Sequence, residues 1–245
     1  MKIACVIPAR YKSSRFPGKP LAYIMGRPMI WWSYQNAKKN NVPVIVATDN
    51  EEIFDTCKAL DMNVVMTSEK HPTGVDRLAE VAKNTDYDWY ILVQGDEPLL
   101  EKEVINVMIN KVEESPDYNG VRTFKTSIKN PVDAVNSTII KIVTDLNENV
   151  LFASRSAIPY PKGGIDFTYY KSVGVYAYPR SILLEYPKLC KGDLEKAEDH
   201  DFMRMLENGI KIKAYEINTN TISVDTPKDL ERVKRIMENR DETNI

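Results

Sequence analysis

The chain has 245 residues, 43% of them hydrophobic and 28% charged, and its 33 basic and 35 acidic residues give a formal net charge of −2. Those proportions belong to soluble globular chains and exclude a disordered, collagenous or coiled-coil protein. The lack of a positive field argues against a generic nucleic-acid binder. No apolar run approaches the roughly 20 residues of a membrane span. The start, Met1-Lys2-Ile3-Ala4-Cys5, enters a strand-like pattern too early for a secretory leader. Cys5, Cys57 and Cys190 are odd in number and lack metal-ligand or redox spacing. They read as free thiols in a reducing compartment, which points to the cytoplasm.

Residues 3–8 are nearly all apolar, as in a strand buried on both faces of a parallel sheet. A polar, basic loop follows over 9–20. The spacing then predicts a helix over 29–39, a strand over 42–48, a helix over 51–60 and a strand over 63–67. A helix over 76–83, a strand over 88–94 and a long helix over 101–114 complete the first half. This alternation predicts a doubly wound α/β sheet. The second half is less regular. Strands are expected over 120–125, 139–144 and 171–178, with a hairpin over 143–151 turning at 145–149. A helix over 198–208 is stopped by Gly209. A strand over 211–216 and a helix over 226–239 follow, with Pro227 in the helix's first turn. Residues 240–245 read as a frayed tail.

Three motifs carry candidate chemistry. The run Pro8-Ala9-Arg10-Tyr11-Lys12-Ser13-Ser14-Arg15-Phe16-Pro17-Gly18-Lys19-Pro20-Leu21 leaves the carboxyl end of the first strand, where open α/β sheets bind ligands. Its four cations, two serines and glycine suit a polyphosphate. Its glycine spacing fits neither a P-loop nor a dinucleotide fingerprint. On charge alone, a solvated basic loop reads equally well. Gln94-Gly95-Asp96-Glu97-Pro98 closes the fourth strand. Asp96 there suits a hard cation such as Mg²⁺ or, equally, a helix cap. Asp225, in Val224-Asp225-Thr226-Pro227, reads by itself as an N-cap and, beside Asp96, as the second carboxylate of a Mg²⁺ site. His71 and His200 read as surface histidines, and no nucleophile partner supports triad chemistry.

Together these motifs resemble the CMP-Kdo synthetases, the 3-deoxy-manno-octulosonate cytidylyltransferases. The likeness runs in order through Ile7-Pro8-Ala9-Arg10-Tyr11, Ser14-Arg15, Pro17-Gly18-Lys19-Pro20-Leu21, Ala47-Thr48-Asp49 and Thr73-Gly74-Val75-Asp76-Arg77-Leu78-Ala79-Glu80. It continues through Gln94-Gly95-Asp96-Glu97-Pro98, Ser154-Arg155, Ile158-Pro159, Val173-Gly174-Val175-Tyr176-Ala177-Tyr178 and Val224-Asp225-Thr226-Pro227.

The resemblance implies a Rossmann-like nucleotidyltransferase with a mixed, mostly parallel sheet. It implies transfer of CMP from CTP to a sugar acid with release of pyrophosphate, a step of lipopolysaccharide biosynthesis, by a Mg²⁺-dependent homodimer. By analogy Arg10 and Lys19 hold the triphosphate, with Pro8, Ala9, Ser14 and Arg15 alongside. Asp96 and Asp225 hold Mg²⁺, and Thr73, Gly74 and Arg77 meet the base and ribose. Gln94, Arg155, Ser172, Tyr176, Glu198 and Asp201 fall on the acceptor side. Residues 1–119 and 190–245 would form the nucleotide-binding core of one domain, and 120–189 a β-rich portion for acceptor and dimer contacts. The chain departs from the family at Ser172, where a histidine is usual, and at Asp201-Phe202, where the family has Glu-Gln. Those departures predict that unmodified Kdo is a poorer acceptor than a related anion such as an 8-amino ulosonate. A non-catalytic nucleotide-binding protein is the reading from another class. It would have little need for both carboxylates beside an intact Arg10 and Lys19.

Overall fold

The computed structural model describes residues 1–13, 15–163 and 166–242. Ser14 and the last three residues of the expected tail, 243–245, lie outside the described residues. The first half runs β1 (Ile3–Ala9), β2 (Tyr23–Ile24), β3 (Arg27–Pro28), α1 (Met29–Lys38), β4 (Val44–Thr48), α2 (Glu51–Ala59) and β5 (Val64–Met66). Then come α3 (Gly74–Asn84), β6 (Trp89–Val93) and α4 (Lys102–Glu114). The second half holds β7 (Val121–Ser127), α5 (Pro131–Val135), β8 (Lys141–Thr144), β9 (Val150–Ser154) and β10 (Tyr170–Pro179). It ends with α6 (Arg180–Glu185), α7 (Asp193–Glu198), α8 (Asp201–Glu207), β11 (Ile212–Glu216) and α9 (Pro227–Glu242).

A sheet in the order β11-β7-β10-β6-β1-β4-β5 forms the middle layer, with β8 pairing to β10 and β9 to β8. β6, β1, β4 and β5 are mutually parallel, and β10 runs against both β6 and β7. The apolar runs are apolar throughout because both faces of the sheet are covered. Cys5 and Ile7 of β1 pack with Ile30, Tyr34, Ile53 and Met108 from α1, α2 and α4. Val6, between them, points the other way and packs with Val75 and Leu78 of α3 and Leu183 of α6. Alternation along one strand thus feeds two cores.

Within 120–189, β7 and β10 lie inside the main sheet and the β8–β9 hairpin extends from it. Two expectations change. The helix expected over 198–208 is two helices, broken where Asp199 takes a left-handed φ of 48°. Arg155 holds the chain at the break: its Nε donates to the Glu198 carbonyl at 2.7 Å and its Nη2 to the Asp199 carbonyl at 3.0 Å. Those carbonyls are thereby satisfied outside a helical ladder. At the carboxyl end α9 continues through 240–242 rather than fraying at 240.

Candidate active site

The chain leaves β1 for β4 on one side and later returns as β6 on the other, so the sheet reverses its order of growth at β1. Crevices at the carboxyl ends of such strands are where open α/β sheets hold ligands. The basic loop leaves β1 there, and Gln94-Gly95-Asp96-Glu97 leaves β6 beside it. The loop closes on itself through Gly18, whose N–H donates to the Tyr11 carbonyl at 2.8 Å. Gly18 has φ +69°, and a Cβ on it would sit 3.3 Å from the Tyr11 ring, so glycine serves both the turn and the contact. This closure delivers Lys19.

Lys19 Nζ lies 2.5 Å from Asp96 Oδ2 and 3.4 Å from Asp225 Oδ1, and also donates to the Val224 carbonyl. Burial opposes the charge on this lysine, but the two carboxylates outweigh it, so its pKa is raised. Arg15 adds a second cation, 3.1 Å from Asp225 Oδ1. Neither aspartate caps a helix. The first turn of α9 is capped by Thr226, whose Oγ1 accepts from Asp229 N while Asp229 Oδ2 accepts from Thr226 N at 2.9 Å. Asp225 is thus left for the cations. Two carboxylates already converging on one ammonium form a hard-oxygen donor pair of the kind Mg²⁺ takes, with phosphate oxygens and water completing its shell. The donor set therefore fits the ion.

The cleft has two cavities. The loop cavity, about 600 Å³, is lined by Arg10, Lys12, Arg15 and Lys19 and by Thr73 and Gly74 at the start of α3. The sheet cavity, about 620 Å³, is lined by Ser172 and Gly174 of β10, Lys171, residues of the 127–140 segment and residues of the 219–236 segment. Gln94, Asp96, Tyr176, His200 and Asp225 line both. Arg10 also donates to the Pro72 carbonyl at 3.1 Å, holding the loop that leads into α3. Thr73 is the N-cap of α3, its Oγ1 accepting from Asp76 N.

The cleft brings together most of the residues named from sequence: Pro8, Ala9, Arg10, Arg15, Lys19, Thr73, Gly74, Gln94, Asp96, Arg155, Ser172, Tyr176, Asp201 and Asp225 line one or both cavities. Two do not. Arg77 is fully buried and bound to Asp49 Oδ2 at 2.6 Å and to Thr67 Oγ1, because α3 turns it into the protein rather than toward the cleft. Glu198 accepts from Ser154 Oγ at 2.6 Å and from Arg155 N at 2.8 Å, and so braces Arg155 from behind. Arg155 and Asp201 open on the loop cavity, not the sheet cavity. Asp201 is held up to about 7, chiefly by burial. Phe202 is buried edge-on against Tyr176 and His200, so it is packing rather than a vacant hydrogen-bonding position.

His200 is a correction: it is no surface histidine but part of the wall common to both cavities. His71, by contrast, is partly exposed and in contact with Glu80. Sequence reasoning also passed over Glu97 and Thr221, where Thr221 Oγ1 donates to Glu97 Oε2 at 2.6 Å. Burial raises the Glu97 carboxyl to about 7. Glu97 adjoins a motif already singled out. Thr221 lies in a stretch without periodicity, where no pattern marks it.

A doubly wound sheet with a cation-rich loop and two carboxylates meeting at its switch point defines a nucleotidyl-transferring class of protein. The cytidylyltransferase family model matches residues 4–212. The chain belongs to that family, in its 3-deoxy-manno-octulosonate branch. It is 43% identical over 235 residues to the 3-deoxy-manno-octulosonate cytidylyltransferase of Fusobacterium nucleatum, covering 95% of this chain and 96% of that one. The enzyme of the same name from Geotalea uraniireducens is 42% identical over 246 residues, covering 95% and 98%. Among solved structures, CMP:2-keto-3-deoxy-manno-octonic acid synthetase complexed with CTP superposes with a TM-score of 0.92 at 36% identity, covering 98% of this chain and all of that one.

Proposed function

We propose that this protein transfers CMP from CTP to 3-deoxy-manno-octulosonate and releases pyrophosphate. The observation that carries the reading is the convergence of Lys19, Asp96 and Asp225 where the two cavities meet. CTP lies in the loop cavity with its phosphates among Arg10, Lys12, Arg15 and Lys19. The sugar acid enters the sheet cavity, beside Gln94, Ser172 and Tyr176. The acceptor hydroxyl attacks the α-phosphorus in line, the new O–P bond forms and the bond to pyrophosphate breaks. Such a displacement needs positioning and charge neutralisation rather than a protein nucleophile. Asp96 and Asp225 would hold Mg²⁺, which supplies charge stabilisation for the phosphates when bound. Lys19 and Arg15 then hold oxygens of the leaving pyrophosphate.

Unmodified Kdo is the acceptor we assign. The case for a modified ulosonate rested on Ser172, Asp201 and Phe202; Ser172 does line the sheet cavity, but Asp201 and Phe202 open on the loop cavity, where Phe202 is packed among aromatic rings. We further read the enzyme as a cytoplasmic homodimer. CTP is a soluble nucleotide, and no helix among the described residues is long and apolar enough to cross a membrane. Exposed Val132, Val135, Leu146, Leu151 and Tyr160 supply apolar surface for a partner copy. Sedimentation as a monomer at micromolar concentration would remove the dimer. The activity is tested by pyrophosphate release from CTP and Mg²⁺ with Kdo and with 8-amino-Kdo. Turnover with Kdo is expected; its absence overturns the reading, and a clear preference for the amine returns the acceptor to the modified class.

A further inference from the structure

His200 occupies an unusual position for a residue between two helices. It is one of five residues lining both cavities, together with Gln94, Asp96, Tyr176 and Asp225. Its ring packs edge-on against Phe202, with centroids 4.8 Å apart, and Phe202 packs in the same way against Tyr176 at 5.3 Å. The three rings form one wall of the cleft.

The backbone that carries His200 is fixed from outside the cleft. Arg155 spends three N–H groups on main-chain carbonyls: Nε on Glu198, Nη1 on Ser137 and Nη2 on Asp199. Asp199 is left-handed, so the chain turns sharply at the residue before His200. A guanidinium engaged in this way is a clamp on the wall.

The chemistry of the ring follows from its contacts. His200 Nδ1 accepts the Phe202 N–H at 3.4 Å, capping α8. An imidazole that accepts at Nδ1 while neutral carries its hydrogen on Nε2 and can only donate there. Burial is the main reason that His200 is lowered to about 4, with Arg155 adding to it, so the ring is neutral at pH 7. The ring therefore brings a fixed, uncharged donor to the junction of the cavities. Around it on the sheet side stand Gln94, Ser172 and Tyr176, all hydrogen-bonding side chains suited to a polyhydroxylated anion.

We propose that His200 is a specificity-determining residue for the acceptor, donating from Nε2 to an oxygen of the sugar acid where the two cavities meet. This rests on the activity proposed above.

The test is His200→Asn. Asparagine keeps the cap, as Asn50 and Asn130 do for α2 and α5 in this chain, each accepting a backbone N–H at 3.1 Å. It withdraws the ring from the cleft. Steady-state kinetics with Kdo and with CTP are measured on wild type and variant, together with thermal melting. The expected result is an acceptor KM raised about ten- to a hundredfold, the range for leaving polar partners unpaired in a closed site. The CTP KM and the melting temperature are expected to stay near wild type. An acceptor kcat/KM within twofold of wild type overturns the proposal, as does an equal rise in both KM values, which would make His200 a general support of the wall. If wild type itself releases no pyrophosphate with Kdo, the assigned activity fails and this inference falls with it.

Discussion

Thr221 donates from Oγ1 to Glu97 Oε2 at 2.6 Å although 124 residues separate the two. The contact joins the loop after β6, which carries Asp96, to the segment before α9, which carries Asp225. The Val224 N–H donating to the Asp96 carbonyl at 2.8 Å makes the same join one step closer to the carboxylates. Room for Glu97 comes from β10, where the register against β7 shifts between Val173 and Tyr176. A bulge of this kind beside a site re-aims the strand, and here it brings Gly174 against the Glu97 carboxylate.

Gly174→Ala should therefore disturb the site through Glu97. The added Cβ would lie 2.3 Å from Glu97 Oε1 and 2.9 Å from Gln94 Cγ. Overpacking of this kind costs about 1–3 kcal/mol, measurable in urea melts. Glu97→Ala in the same chain removes the nearest obstruction, so the double variant should lose less than the sum of the singles. Strict additivity would show that the clash lies elsewhere.

Asp225 and Thr226 are adjacent but should fail differently. Thr226→Ala removes the cap of α9 and should cost about 1 kcal/mol of stability with little change in kcat. Asp225→Asn should leave melting near wild type and lower kcat about a hundredfold or more, since metal-held charge stabilisation is worth several kcal/mol at about 1.4 kcal/mol per factor of ten. Asp96→Asn should behave like Asp225→Asn. A near-normal rate for Asp225→Asn with Mg²⁺ would remove this carboxylate from the proposed metal site.

Arg77 should prove structural. It is fully buried, paired with Asp49 and bonded to Thr67. Arg77→Met leaves Asp49 without its partner, and breaking a buried pair costs about 3–5 kcal/mol. The variant should melt far below wild type, and whatever remains folded should bind CTP with an unchanged KM. A raised CTP KM with normal melting would return Arg77 to the nucleotide.

Asp201 predicts a pH dependence of stability. Its carboxyl is raised from the ordinary 3.8 to about 7, chiefly by burial, so between those values the folded chain holds a proton that the unfolded chain has released. The stability it contributes is present below about 4 and is lost as pH rises through about 7. Asp201→Asn cannot titrate and should gain stability on wild type across that window, by a few kcal/mol at most at about 1.4 kcal/mol per pH unit. Denaturant melts of both proteins at pH 5 and pH 8 measure the difference; an equal gap at the two values would contradict the assignment.

CTP should be preferred to UTP. The bases differ by an amino group and a carbonyl, and sites that hydrogen-bond such a group reject its counterpart strongly. A kcat/KM ratio of at least about a hundredfold is expected. Equal efficiencies would remove the base recognition assigned to the start of α3, where Thr73 and Gly74 line the loop cavity.

The parallel core, the cation-rich loop after β1 and the acidic motif after β6 were legible in the amino-acid order because each is local. A continuous apolar run, a cluster of like charges and a carboxylate at a strand end are patterns within ten residues. Arg77 misled because its neighbours in sequence, Thr73 and Gly74, do reach the cleft while the helix turns its own side chain inward. His200 misled because a helix was read straight through it, whereas the chain turns at the left-handed Asp199 and the carbonyls of Glu198 and Asp199 are held by Arg155, which follows β9 some 45 residues earlier. The choice between cap and site for Asp225 needed the positions of Thr226, Asp229 and Lys19 together. Sequence alone thus determined the layers of this protein and the strand ends that carry its charges. Tertiary structure decided which charges meet, because contacts across 77 or 206 residues, as between Lys19 and its two aspartates, depend on how the sheet is ordered and not on any spacing along the chain.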